Sequence, residues 1–359
     1  MKILVLTEDY PSNSNKYAMS YVHSRNLEYI KNRIEVTVLC FRSKNSYEID
    51  NIRVFPESKV NINNFDMVIS HAPNLKNHVR YILKYRKCIK KILFFIHGHE
   101  VLLTSKIYPE PYKLLDTSSN FKKSFINIYD HIKIKVIKFF LLYLLKNEKC
   151  RIVFVSEWMF EEFVKHVKVS KEKLGNNYSI IPNALNSVFL EESYKPIEEN
   201  NLILTIRPFD NSKYCVDLVN EIAHKNPNFE FHLYGKGNYF KKYKKADNLY
   251  VYNKFFTHNE MPGLFNKYKA VLMPTRLDAQ GVMMCEMATF GVPLITSDIK
   301  ICKDMLSNFE NVTFINNEVT PNNLSEILNN IIKNETSNKY TFSKENTVLR
   351  EVNLIKSQW

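Results

Sequence analysis

The sequence has no C-x-x-C pair among its six cysteines, which stand far apart at positions 40, 88, 150, 215, 285 and 302. That scatter excludes both a disulfide framework and a zinc site, and it suits a reducing cytosol. The cysteines are expected as small core residues. Long hydrophobic runs are missing too. The longest, FFLLYLL at 139–145, falls far short of the ~20 residues a spanning helix needs. The opening MKILVLTEDYPSNSN lacks the basic n-region, extended apolar stretch and small-residue cleavage site of a signal peptide. A cytoplasmic protein is expected. Neither tandem short repeats nor low-complexity segments are present, although Asn, Lys and Ile are abundant.

What is there is the material of a folded enzyme-sized chain. Hydrophobic residues make up 45% and aromatics 13% of 359 residues, enough to bury a core and exclude disorder. The length suits two α/β domains. The net charge of +13 is unevenly placed. Residues 1–190 hold 30 Lys+Arg against 17 Asp+Glu, whereas residues 191–359 hold 20 of each. The surplus lies wholly on the first half, as a solvated basic face or as a surface for an anionic partner.

Short β-rich runs recur through the first half: Ile3–Leu6, Glu35–Phe41, Met67–Ser70, Ile92–His97 and Ile152–Ser156. They do not alternate strictly, as befits strands covered on both faces of a parallel sheet. Helical patterns separate them, notably Ser20–Asn32 and residues 130–149. After Ile181-Pro182-Asn183 a second series follows: Leu202–Ile206, Glu230–Tyr234, Leu249–Tyr252, Ala270–Met273, Pro293–Thr296 and Val312–Ile315. The helices between them are expected at Val216–His224, His258–Lys267, Met283–Phe290 and Asn322–Lys333, and Glu191–Asn201 reads as a linker. This is an α/β chain of two doubly wound, Rossmann-like domains facing across a cleft.

The chemistry concentrates in the second series. Leu202–Ile206 runs into Arg207, with Lys213 six residues on, and two cations after a strand can neutralise a diphosphate leaving group. In LYGKGN, Gly235 and Gly237 let backbone pass close to a base or phosphate. In MPTRLDAQGVMMCEMATFGVPLITSD, a strand ends near Met273 and a helix starts near Gly281, whose neighbouring amides can approach a diphosphate. Glu286, one to two turns into that helix, can accept two ribose hydroxyls, and Asp278 on the loop can meet sugar hydroxyls. The plainer reading of this stretch is a capped helix with a solvated Glu.

At these residues the sequence resembles the retaining glycosyltransferases of family 4, with the GT-B fold. SEWMFEEF from Ser156 and IIPNALNSVF from Ile180 look like the segments before the family's interdomain crossing. Asp278 and Glu286 look like its E-x7-E signature, with Asp in place of the first Glu. KYTFSKENTVLREVNLI is similar to its C-terminal helix, which crosses back to the first domain. The resemblance implies an acceptor-binding domain over 1–185, a donor-binding domain over 186–340 and the returning helix over 341–359. It also implies metal-independent transfer, with retention, from a nucleotide-diphosphate sugar such as a UDP-sugar. The acceptor would be a glycan or lipid-linked glycan in bacterial capsule, lipopolysaccharide or other surface-polysaccharide synthesis. Arg207 and Lys213 would hold the diphosphate, Glu286 the ribose, Asp278 the donor sugar, and the amides at Gly281 and Val282 the phosphate, with Gly235 beside the nucleotide. No cofactor and no metal are implied. The first loop, EDYPSNSNKYA, has no glycine pair; Lys16 and Tyr17 stand there instead. Two other readings remain: a non-catalytic GT-B partner of another transferase, and a sugar-nucleotide epimerase.

In FFIHGHE, His97 and His99 follow a strand. They read as a metal pair with Glu100, as structural histidines, or as an active-site His, since strand C-termini line the cleft of doubly wound folds. The resemblance favours His97, facing donor sugar or acceptor. Residues 122–149 mix lysines with Ile, Phe, Leu and Tyr. They form either a core helix with a basic face or a helix on anionic lipid, with Lys122, Lys123, Lys133, Lys135 and Lys138 toward the membrane and Phe139–Leu145 behind them. Nucleic acid is disfavoured because no recognised binding module accompanies the charge.

Overall fold

A computed structural model describes the chain except residues 13–14, 16–17, 118, 198–199, 332–337 and 358–359, and except the side chains of residues 120 and 122. Lys16 and Tyr17, singled out in the first loop, and the Lys122 side chain therefore lie outside the described residues.

The chain divides into two compact units. The first comprises Met1–Ser105, Ser124–Ala184 and Lys344–Trp359; the second comprises Lys106–Lys123 and Leu185–Ser343. Unit 1 holds eight strands: β1 (Lys2–Thr7), β2 (Glu35–Cys40), β3 (Tyr47–Ile49), β4 (Ile52–Phe55), β5 (Met67–His71), β6 (Ile92–Ile96), β7 (Cys150–Phe154) and β8 (Tyr178–Ile180). They lie in the order β3-β4-β2-β1-β5-β6-β7-β8, parallel except for the β3–β4 pair. Unit 2 holds β9 (Leu202–Ile206), β10 (Glu230–Tyr234), β11 (Leu249–Tyr252), β12 (Ala270–Leu272), β13 (Leu294–Ser297) and β14 (Val312–Ile315). Its order is β11-β10-β9-β12-β13-β14, parallel throughout. The central strands β1, β5 and β6 are almost wholly buried, which is why they read as continuous apolar runs.

The longer helices are α1 (Ser20–Lys31), α2 (Asn120–Lys146), α3 (Glu157–Val167), α4 (Val216–Lys225), α5 (Val282–Phe290) and α6 (Val348–Lys356). Glycine sets both ends of α5. Gly281 at its N-cap and Gly291 at its C-cap take φ of 73° and 90°, conformations that cost a side-chain-bearing residue about 1–2 kcal/mol. The C-terminal α6 packs in unit 1 through a buried polar clamp. Arg25 Nε donates to both Glu351 carboxylate oxygens at 3.0 and 3.1 Å, and Tyr29 Oη donates to Glu351 at 2.6 Å.

Three sequence expectations change. Glu191–Asn201 is no free linker where it is described. Tyr194 is buried, its amide donates to Phe290 O at 2.7 Å and its hydroxyl to Tyr268 O at 2.8 Å. His258–Lys267 is a 3-10 turn followed by a short helix, Met261–Phe265, because Thr257 and Glu260 close a capping box ahead of Pro262. Cys88 is exposed, while the other five cysteines are buried.

Candidate active site

In unit 2, β9 delivers Arg207 at its C-terminal end, where the Arg207 amide donates to Tyr234 O at 3.0 Å and so extends the pairing with β10. The guanidinium is buried at 6% exposure. Its Nη2 donates to Met273 O at 3.4 Å, its Nε has no hydrogen-bond partner, and its cation lies over the Tyr214 ring at 5.1 Å. Burial works against its charge and lowers its pKa, while the Asp278 carboxylate acts in the opposite direction. Lys213 approaches the same ring, with Nζ at 4.6 Å from the Tyr214 centroid. Two cations thus share one aromatic platform, and among the described residues neither is ion-paired to a carboxylate. That arrangement suits a dianionic ligand more than it suits the protein alone.

The Lys213 turn is anchored from below. Arg276 N and Thr275 Oγ1 both donate to Lys213 O, at 2.7 and 3.0 Å. The Arg276 side chain clamps Asp217 through Nη1–Oδ1 and Nη2–Oδ2 at 2.9 and 2.7 Å, and Nη1 also reaches Ser212 O at 2.7 Å. This fork joins the loop after β12 to the start of α4 and fixes the backbone that carries Lys213.

Gly235 lies against that same strand end. A Cβ there would stand 2.0 Å from Arg207 O, a backbone atom that cannot move aside. At Gly281, by contrast, a Cβ would meet the flexible Met284 Cε at 2.2 Å. Gly235→Ala is therefore expected to cost about 3 kcal/mol or more of stability, well above Gly281→Ala. Urea unfolding of both variants checks this, and equal losses would mean that the Arg207 turn yields easily. Between Arg207 and Lys213 the loop borders a cavity of about 490 Å³, lined by Pro208, Asp210, Ser212, Lys236 and Tyr108 among others.

The N-terminus of α5 closes the group. Asp278 Oδ1 accepts from its own turn, Ala279 N at 2.8 Å and Gln280 N at 3.4 Å, and a Cβ placed on Gly281 would lie 3.9 Å from Asp278 Cγ. Among the described residues no side chain makes a capping hydrogen bond to α5 and no acidic residue stands in its first turn, so its first amides at Gly281 and Val282 point free beside the Asp278 turn. Glu286 is not the solvated helix residue of the plainer reading. It is 3% exposed, accepts a backbone hydrogen bond from Asn186, and has His258 Nε2 at 3.4 Å from Oε1. Burial pushes its carboxyl up to about 8, and burial also lowers the His258 pKa.

His97 belongs to unit 1 and is described there. Its Nε2 is 3.3 Å from His71 Nδ1, its ring sits 4.9 Å from that of Tyr21, and its amide donates to the Glu100 carboxylate. Burial, with Arg25 nearby, holds His97 well below the usual histidine range, and burial does the same for His71. A neutral pair sharing one hydrogen bond suits proton handling. His99 points outward, with its side chain 69% exposed and 3.6 Å from Glu100. The imidazole that accompanies His97 is His71. Sequence reasoning passed over it, although it ends β5 at the place where His97 follows β6. Arg276, Tyr214, His258 and Asn186 were also missed; of these only Tyr214, next to Lys213, carried a local signal.

These two parallel sheets, with a cation-bearing strand end and a glycine-led helix terminus in the second, are the two Rossmann-like units of a GT-B fold. Residues 189–347, most of the second unit, match the family described as Glycosyl transferases group 1. The resemblance to the family 4 glycosyltransferases is borne out by that match and by the fold. Sucrose-phosphate synthase from Thermosynechococcus elongatus is similar at 13% identity and TM-score 0.68, covering 99% of this chain and 98% of its own. HepE of Anabaena, solved with UDP and glucose, is similar at 10% identity and TM-score 0.63, covering 99% and 98%. An uncharacterised 41.2 kDa protein in a cps region of Klebsiella pneumoniae is 23% identical over 141 residues. That match takes in 39% of this chain and 35% of the relative, so the chain spans about a third of that relative's length.

Proposed function

We propose that the chain moves a sugar from a nucleotide-diphosphate sugar, a UDP-sugar, to a glycan or lipid-linked glycan acceptor in surface-polysaccharide synthesis, with retention at the anomeric carbon. One observation carries this reading: Arg207 and Lys213 share the Tyr214 ring without an ion-paired carboxylate, in the unit whose α5 N-terminus is uncapped. In this reading the pair and the amides at Gly281 and Val282 hold the diphosphate. Glu286 takes the ribose, Asp278 faces the donor sugar, and Gly235 leaves room for the nucleotide. As the sugar–oxygen bond breaks, negative charge gathers on the departing diphosphate, and fixed cations stabilise it without reorganising. His97, paired with His71, is assigned to the donor sugar or acceptor hydroxyl. HepE's complex with UDP and the cps-region relative support the choice of donor and setting.

The direct test is incubation with a panel of sugar nucleotides, reading protection against thermal unfolding and release of free UDP. Protection without turnover on any acceptor or water would favour the non-catalytic partner. Because protein cations hold the diphosphate here, turnover is expected to survive EDTA. Loss of activity on chelation, restored by Mg²⁺ or Mn²⁺, would count against this assignment of Arg207 and Lys213.

A further inference from the structure

Helix α2 carries more apolar surface than the core uses. Ile134, Ile137, Phe140, Leu141, Leu144 and Leu145 are buried, and Phe140 meets Phe94 of β6 edge-on at 5.9 Å. A second apolar row stays in solvent: Phe125, Ile128, Ile132, Phe139 and Tyr143 are 67%, 60%, 52%, 71% and 47% exposed. Their spacing of three, four and seven residues places them on one face. From Phe125 to Tyr143 that face runs roughly 27 Å at 1.5 Å per residue. An apolar strip of this length marks an interaction surface.

Charge identifies the partner. The helix has six lysines and one acidic residue, Asp130. Asp130 is buried and spent on Lys133 at 2.7 Å, so no carboxylate of α2 faces outward. Lys133 is buried with it and donates to His99 O and Leu102 O, which removes it from the lysines expected to face a membrane. Phe140, Leu141, Leu144 and Leu145 likewise face the core. Lys135 and Lys146 remain exposed and Lys138 half-buried along the edge of the apolar row.

We infer that this face of α2 docks on an anionic phospholipid surface, with Phe125, Ile128, Ile132, Phe139 and Tyr143 sunk into the headgroup–acyl boundary and Lys135, Lys138 and Lys146 among the headgroups. A second copy of the chain fits less well, because two such helices would bring like charges together with no acid to offset them. Among the described residues no helix is long and apolar enough to cross a membrane, so the contact is lateral. The inference rests on unit 1 alone and stands apart from the donor reading.

The test is co-sedimentation of the full chain with vesicles of phosphatidylcholine, alone and mixed with phosphatidylglycerol. Binding is expected only with phosphatidylglycerol and should fall as salt rises, since the screening length is about 8 Å at ~0.15 M. The triple variant Phe125→Ser/Ile132→Ser/Phe139→Ser is expected to lose at least about tenfold in vesicle affinity. Lys135→Gln/Lys138→Gln/Lys146→Gln should lose about fivefold per lysine. Both should melt at the parent's temperature, because the altered side chains are largely solvent-facing. Equal binding by parent and either variant, or equal binding to both vesicle types, would overturn the proposal. So would a concentration-dependent dimer that the serine variant abolishes, in a parent that ignores vesicles.

Discussion

Replacing Arg207 with Met should make the free protein more stable while removing most of its affinity for UDP and its transfer activity. The guanidinium is 6% exposed, lacks a partner at Nε and has one long bond, Nη2 to Met273 O at 3.4 Å. Keeping a charge in such a place costs several kcal/mol of lost hydration. The Tyr214 ring at 5.1 Å returns about 0.5–2 kcal/mol of that. Desolvation wins, so a methionine of similar reach, against Met273 and Tyr214, should raise Tm by roughly 2–4 °C per kcal/mol recovered. The loss on the other side is larger. A hydrogen bond to a charged group is worth about 1.5–3 kcal/mol, or roughly 10- to 150-fold in UDP affinity. Transfer should fall by a further ~10²–10³, because the diphosphate's charge grows as it leaves. Calorimetry with UDP and with uridine separates the causes: uridine binding should be untouched. A fall in Tm, or equal losses for the two ligands, would make Arg207 a structural residue.

The two sheets were legible because their central strands are buried on both faces. β9, buried over four of its five residues, begins and ends where its apolar run does, and β10, β11 and β14 keep their expected bounds although they are only partly buried. β3, β4 and β8 escaped because they are short and interrupted by polar residues. β4 alternates as Ile-Arg-Val-Phe with a buried-exposed pattern, while β3 and β8 are three residues long and only half-buried at sheet edges. A search for fully buried runs passes over them. The cation pair, the glycine turn and the helix glycine were readable because each sits within a few residues of a strand end. What surrounds them was not. Arg276 reaches Asp217 across 59 residues, and Lys133 buries itself on carbonyls 31 and 34 residues away. The exposed face of α2 was hidden for a related reason. Sequence shows apolar residues and lysines interleaved along the helix, but only packing decides which side the core takes.

Glu286 illustrates how tertiary burial turns an ordinary helix residue into a pH-sensitive one, and its variants should be separable by pH. Asn186 and His258, distant in sequence, close over the carboxyl and burial pushes it up to about 8 from an unfolded value near 4.5. An acid raised in this way contributes stability that is fully present below about pH 4.5 and is lost as pH rises through about 8, because the unfolded chain binds fewer protons in that window. Glu286→Gln keeps the shape and removes the titration. Between about pH 6 and pH 8 the parent should therefore lose up to ~2–3 kcal/mol relative to the Gln variant, read as diverging Tm curves. Ribose hydroxyls donating to the ionised carboxylate would favour its charged form, so UDP binding should release a proton. Parent affinity for UDP should then climb by no more than about tenfold per unit from pH 7 toward 8.5, and the Gln variant should lack that slope. Glu286→Ala, which leaves the hydroxyls unmatched, should bind UDP roughly 10- to 150-fold more weakly at any pH in this range. Parallel Tm curves would show that the carboxyl is ionised in the free protein. UDP binding by the Ala variant equal to the parent's would remove Glu286 from the donor site altogether.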